Sequence, residues 1–227
     1  MFLENLKTMK VNGLLWLGLA FSVPSLAQNK EEDKVKAAAA VLDDFNGMQQ
    51  QIPAQLLEAS KGIIIVPRMI NAGLVVGGKH GKGLAMIKHE DGKWSDPVFV
   101  TITGGSVGAQ IGVQAVDLVL VFKSEKSLMN IEKGDYTLGS DLSVAAGPVS
   151  KNASATTDYK LEAEVYSYSR AKGLFAGVTV NGAMLAVDTR ANTGMYGSKA
   201  DVKTIFNESN ISSKAVEELR EKLDDFN

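Results

Sequence analysis

The spacing of apolar residues changes twice along this chain. Over 29–46, Val35, Ala38, Ala39, Leu42 and Phe45 recur every three or four positions. That spacing predicts an amphipathic helix, capped by Asn29 or Asp33 and ended by Gly47. A shorter helix is predicted over 53–60, with Pro53 in its first turn and Lys61-Gly62 at its C-terminus. From Gly62 the pattern becomes that of strands. Ile63, Ile64, Ile65 and Val66 form a continuous β-branched run between Gly62 and Pro67, as in a strand buried on both faces. Two strands are expected over 72–78 and 82–88, joined by a turn at Lys79-His80-Gly81. Asp91-Gly92 signals a further hairpin turn before a strand over 94–103. Strand 117–123 leads to a short helix over 124–133, which Gly134 closes. A strand over 136–146 ends at Gly147-Pro148, a polar loop covers 151–158, and 160–169 alternates as a strand. Strands 174–180 and 183–187 are expected to form a hairpin turning at Asn181-Gly182. Residues 188–200 read as irregular or briefly helical. The spacing returns to helical over 212–226, where Ala215, Val216, Leu219, Leu223 and Phe226 share a face.

The centre of this pattern is 103–114, which holds Gly104, Gly105, Gly108 and Gly112 among small and β-branched residues. Glycine weakens a strand, and its usual return is close approach of another backbone, a bulge or a bend. The stretch is therefore expected to be the tightly packed middle of the sheet. The fold class that follows is α+β: one domain with an antiparallel, glycine-rich β core, barrel-like or strongly curved, flanked by N- and C-terminal helices.

Composition adds limits. The chain has 227 residues, enough for one sizeable core, and a formal net charge of −2, which gives no global attraction for nucleic acid. Cysteine is absent, which excludes disulfides, thiolate metal sites and a cysteine nucleophile. Lys7 and Lys10 precede an apolar run over 13–23, Pro24 breaks it, and Ser25-Leu26-Ala27 supplies small residues. This is the layout of a secretory signal peptide. Residues 1–27 are expected to be removed by cleavage near Ala27, leaving 28–227 as the folded domain in the periplasm or outside the cell. The run is short for a membrane-spanning anchor.

Few residues carry recognisable chemistry. Gly104-Gly105-Ser106-Val107-Gly108 fits the G-x-S-x-G pattern of a nucleophile elbow. That chemistry needs a histidine after the serine in chain order and a strand–turn–helix around it. The two histidines, His80 and His89, both precede Ser106, and strand-forming residues continue past Gly108. A hydrolase centred on Ser106 is thus a remote alternative, and the reading is non-enzymatic. His80, His89, Glu90 and Asp91 have no metal-loop spacing, and no cofactor motif is present. The distribution of charge is more informative. Lys61, Arg68, Lys79, Lys82, Lys88 and Lys93 oppose only Glu90 and Asp91 between 61 and 93, and Arg170 and Lys172 add a second basic point. Such asymmetry suits phosphate or lipid head groups, and also ordinary solvated turns.

Several separated motifs resemble the SYLF domain family. They are 59–67 (Ala59 to Pro67), Ala72 to Gly78, Trp94-Ser95-Asp96-Pro97, Gly104 to Gly112, Ala146-Gly147-Pro148, Tyr168 to Gly177, Asn192 and Tyr196-Gly197. The resemblance covers about 35–200 and implies a non-enzymatic module that binds acidic phospholipids, phosphoinositides in eukaryotic relatives, some of which also bind and bundle actin. The expected leader, with no fused SH3 domain in these 227 residues, suggests a stand-alone exported bacterial member. The expected partner is then anionic membrane lipid, bound peripherally, through Lys61, Arg68, Lys79, Lys82, Arg170 and Lys172. No cofactor, metal or nucleic acid is expected. The alternative is an envelope scaffold that binds protein.

Overall fold

Alternation in the central strands explains the architecture. The computed structural model describes residues 26–48, 52–73, 76–107, 112–133, 136–147, 162–175, 180–198 and 201–226. Strand β1 (Gly62–Gly73) lies between β2 (Val76–Ile87) and β4 (Gly112–Phe122), and β3 (Val98–Val107) adds outside β2. All three pairings are antiparallel. Gly62 to Val66 are buried without a break, as the β-branched run predicts. Ile63 and Ile65 enter one apolar cluster while Ile64 and Val66 enter a second, so each face of the sheet has its own core.

The remaining strands are β5 (Tyr136–Thr137), β6 (Val144–Ala146), β7 (Val165–Ala171), β8 (Leu174–Phe175) and β9 (Ala183–Val187). The order β5-β9-β3-β2-β1-β4-β7-β6 makes a strongly curved, half-barrel sheet, with β8 paired to β7. The β6–β7 pair is parallel and makes the sheet mixed. Helices α1 (Leu26–Asn46) and α6 (Lys214–Asp225) pack together and, with α2 (Ala54–Glu58) and α4 (Thr189–Tyr196), cover the face of Ile63 and Ile65. Helix α3 (Glu125–Met129), the 3-10 turn Asn130–Lys133 and α5 (Val202–Asn207) contribute to the opposite face.

Several expectations change. The strand expected over 136–146 is two short strands, β5 and β6, with a turn between them. Lys79-His80-Gly81 is not a turn but the middle of β2, which runs unbroken from Val76 to Ile87. The glycines there serve packing: a Cβ on Gly81 would lie 2.5 Å from Val66 Cγ1, and one on Gly83 2.5 Å from Ile65 O. The Asn181-Gly182 turn forms, with Gly182 at φ 74°. However, β9 pairs with β3 and β5, and β8 with β7, so these two strands do not make a hairpin with each other. Finally, 103–114 is not the packed middle of the sheet. It comprises the ends of β3 and β4, with 108–111 outside the described residues. The loop expected over 151–158 and the leader over 1–25 also lie outside them.

The recurring family motifs hold this frame together. Asn192 spans both backbone groups of Phe99: its Oδ1 accepts from Phe99 N at 2.9 Å and its Nδ2 donates to Phe99 O at 3.0 Å. The Tyr196 hydroxyl donates to Pro97 O at 2.7 Å, and burial pushes its pKa up. Asp96, whose side chain is fully buried, accepts from Arg220 at 2.5 Å, Ser209 at 2.7 Å and Ile211 N at 2.9 Å, fixing α6 to the sheet. A Cβ on Gly147 would lie 1.9 Å from the Tyr168 ring. These residues do structural work, which explains a signature rich in glycine and small residues.

Candidate functional site

Register brings together lysines that are far apart in sequence. Gly62, the first residue of β1, pairs with Ile87 on one side and Phe122 on the other. One position further out, Lys61 therefore lies between Lys88 and Lys123. Backbone bonds tie Lys61 to both neighbours: its N–H donates to Phe122 O at 2.8 Å, and Lys88 N donates to Lys61 O at 3.1 Å. Alternation places all three on the face of Ile63, Met86 and Val121. Like charges directly opposite on neighbouring strands oppose folding.

Lys126, in the first turn of α3, joins them around an open hollow of about 580 Å³, which Glu90, Ser124, Glu125 and Met129 also line. Four ammonium groups thus face two carboxylates there. The Lys88 ammonium sits over the Trp94 ring, 5.6 Å from its centroid, which fixes one wall of the hollow. Lys61, Lys88 and Lys126 take part in no ion pair among the described residues. Chemically, this end can take an anion that bridges several ammonium groups and relieves their repulsion.

The six basic residues singled out from sequence do not form one face. Lys61 is at the lysine end. Arg68 and Lys172 are exposed at the far end of the sheet, in left-handed backbone conformations at φ 49° and 51°. Arg68 occupies the bulge between Val66 and Met69, where its N–H donates to Asp117 Oδ1 at 2.9 Å. Arg170 is held by two carboxylates, Asp117 at 2.6 Å and Asp44 at the end of α1. Lys82 bonds Asp188 at 2.9 Å. Burial alone would raise the Asp188 carboxyl, but bonds from Lys82 and the Ala191 N–H, with the charges of Lys82 and Lys34, hold it below its ordinary value. Lys79 is 5% exposed, and desolvation lowers its pKa. Lys79, Lys82 and Arg170 are therefore engaged within the fold, while Lys88, Lys123 and Lys126, not chosen from sequence, complete the cluster around Lys61. Only strand register reveals that grouping.

Ser106 lies within β3, opposite Gly77, and β3 continues to Val107, so among the described residues no strand–turn–helix elbow forms around it. The His80 ring meets Thr103 Oγ1 at 3.1 Å, and His89 lies in the turn before Trp94. No group of three or more potential metal ligands occurs among the described residues. No described helix is long and apolar enough to cross a membrane.

Comparison with known proteins agrees with the motif pattern. A family model, Ysc84, described as "Las17-binding protein actin regulator", matches residues 103–226. Protein YSC84 of Saccharomyces cerevisiae is 34% identical over 77% of this chain and 39% of its own length. LAS seventeen-binding protein 3 of the same yeast is 31% identical over 79% of the chain and 39% of its own length. The human SH3 domain-containing YSC84-like protein 1 is 32% identical over 86% of the chain and 59% of its own length. The chain spans between about two fifths and three fifths of these relatives. With the family model over its C-terminal half and relatives matching most of its length, the chain belongs to the Ysc84 family, also called SYLF.

Proposed function

We propose that this protein is an exported, non-enzymatic module that associates peripherally with anionic phospholipid through its lysine end. The observation that carries this reading is the grouping of Lys61, Lys88 and Lys123, each one residue beyond the end of β1, β2 or β4, with Lys126 around one hollow. Such a grouping costs stability in the free protein. An anionic surface returns that cost, at about 1 kcal/mol per lysine near the head groups. Export, expected from residues 1–27, would make the ligand an anionic envelope lipid.

The test is co-sedimentation of the protein with neutral vesicles and with vesicles containing phosphatidylglycerol, at low and moderate salt. Pelleting only with the anionic vesicles, and release by salt, supports the reading, because screening shortens the reach of surface charge. Equal pelleting with both vesicle types, or none with either, contradicts it.

The relatives' names favour a second reading, a protein-binding module: one is called LAS seventeen-binding and the family model an actin regulator. On that reading the lysine end takes an acidic protein segment. Capture of an envelope protein, lost when the lysines are replaced and accompanied by no vesicle binding, distinguishes it.

A further inference from the structure

The hollow at the lysine end carries more than positive charge. Lys61, Lys88 and Lys126 line it, and so do Glu90, Glu125 and Ser124. Lys61 lies just before β1, Lys88 and Glu90 follow β2, and Ser124 to Lys126 lead from β4 into α3. Three separate segments thus place both signs of charge around one open space of about 580 Å³. That volume is within the range of about 300–1,000 Å³ typical of small-molecule sites.

The opposite charges around this space are not spent on one another. Glu90 and Glu125 take part in no ion pair among the described residues, and neither do Lys61 and Lys126. The Lys88 ammonium meets the Trp94 ring instead of a carboxylate. Ser124 stands at the N-cap of α3, yet its side chain bonds none of the N–H groups there. A site for a purely anionic head group gains nothing from Glu90 and Glu125, because each carboxylate repels the phosphate that the lysines attract. Both signs suit a ligand that also carries both. Its phosphate accepts charge-assisted bonds from the ammonium groups, and its own primary ammonium donates to the carboxylates. A quaternary ammonium has no N–H to donate and cannot take that place.

We infer that the hollow seats one head group bearing a phosphate and a primary amine, of the phosphoethanolamine class. The phosphate bridges Lys61, Lys88 and Lys126, and the amine meets Glu90 and Glu125. This inference rests on the lysine-end reading and narrows it: anionic lipid draws the protein to the surface, and an amine-bearing head group fills the hollow. The same chemistry occurs on a lipid and on a soluble phosphoamine.

Co-sedimentation with two vesicle sets tests this. Both contain phosphatidylglycerol at the same mole fraction, and the remainder is phosphatidylethanolamine in one and phosphatidylcholine in the other, so surface charge is equal. The expected result is at least about five-fold tighter binding to the phosphatidylethanolamine set, equivalent to one modest charge-assisted bond. Glu90→Gln/Glu125→Gln should lose that preference, yet bind the phosphatidylcholine set as well as the wild type or better, since two repulsive charges are gone. Its retained binding there also shows that it folds. Equal binding of the wild type to both sets overturns the inference. So does a preference that survives in the variant, which bilayer packing would then explain. Calorimetric titration with O-phosphoethanolamine, beside O-phosphocholine, separates the two sources. Binding of the first alone, lost in the variant, shows that the soluble form suffices. Binding of neither, with the vesicle preference intact, assigns the lipid-borne form. Failure to bind either vesicle set contradicts the lysine-end reading, and the titration then decides the hollow separately: binding of O-phosphoethanolamine upholds it, and no binding overturns it.

Discussion

The two ends of the sheet are built from the same strands but face different problems. At the lysine end, the residues just beyond β1, β2 and β4 are three cations, and a helical turn adds a fourth. At the other end the same strands run past the helix layer and finish in glycine, alanine and a few exposed apolar residues. One end concentrates like charge, part of which the contact of Lys88 with the Trp94 ring offsets. At the other, Gly105 faces open space among the described residues, so a side chain there would meet no described neighbour.

The sharpest contrast comes from the glycines. Replacing Gly83 with valine forces a side chain against Ile65 O and Val66, and should destabilise by about 1–3 kcal/mol or more, by chemical denaturation. Replacing Gly105 with valine should leave stability unchanged or raise it by about 0.5–1 kcal/mol, because a strand gains from losing glycine. Equal losses at the two sites would mean that the glycine end is packed internally, and the comparison would collapse.

The border of the helix layer gives a smaller effect. Asp188 caps α4 through the Ala191 N–H at 3.1 Å and also binds Lys82. Asp188→Ala should cost about 1–2 kcal/mol at neutral pH. Since its folded pKa lies below the ordinary 3.8, this stability is present above that value and is lost as pH falls through the folded pKa. The wild type and the variant should therefore converge in acid denaturation series near and below pH 3.8. A gap that stays constant in acid would show that the carboxylate's charge is not the cause.

The smallest effect has the opposite sign. Lys61→Gln removes the middle member of the lysine row, so it should stabilise the free fold by a few tenths to about 1 kcal/mol at low ionic strength. The gain should vanish in high salt. A loss of stability at low salt would mean that the row is internally compensated.

Much of this fold is legible in sequence. The β-branched run at Ile63 to Val66 predicts a strand buried on both faces, and the spacing of Val35 to Phe45 and Ala215 to Phe226 predicts the two helices that cover the sheet. Glycine is where reading by pattern fails. Gly81 between lysine and histidine looks like a turn, yet it lies in mid-strand because Val66 occupies its side-chain space. Gly104 and Gly105 are neighbours in sequence, but one abuts Ala183 and the other faces open space. Nothing local distinguishes them. The lysine site is equally hidden, since Lys61, Lys88 and Lys123 meet only through strand register. Charge counts also mislead for Lys82 and Arg170, whose partners Asp188, Asp44 and Asp117 are distant in the chain.

Vesicle co-sedimentation of Lys61→Gln/Lys88→Gln/Lys123→Gln, beside Lys79→Gln and the wild type, tests the central claim most directly. At about 1 kcal/mol per lysine, the triple variant should bind phosphatidylglycerol vesicles roughly a hundred-fold more weakly. Lys79→Gln, altered at a buried position, should bind as the wild type does. A triple variant that pellets like the wild type, with its salt dependence unchanged, would contradict the assignment of the anionic surface to the lysine end.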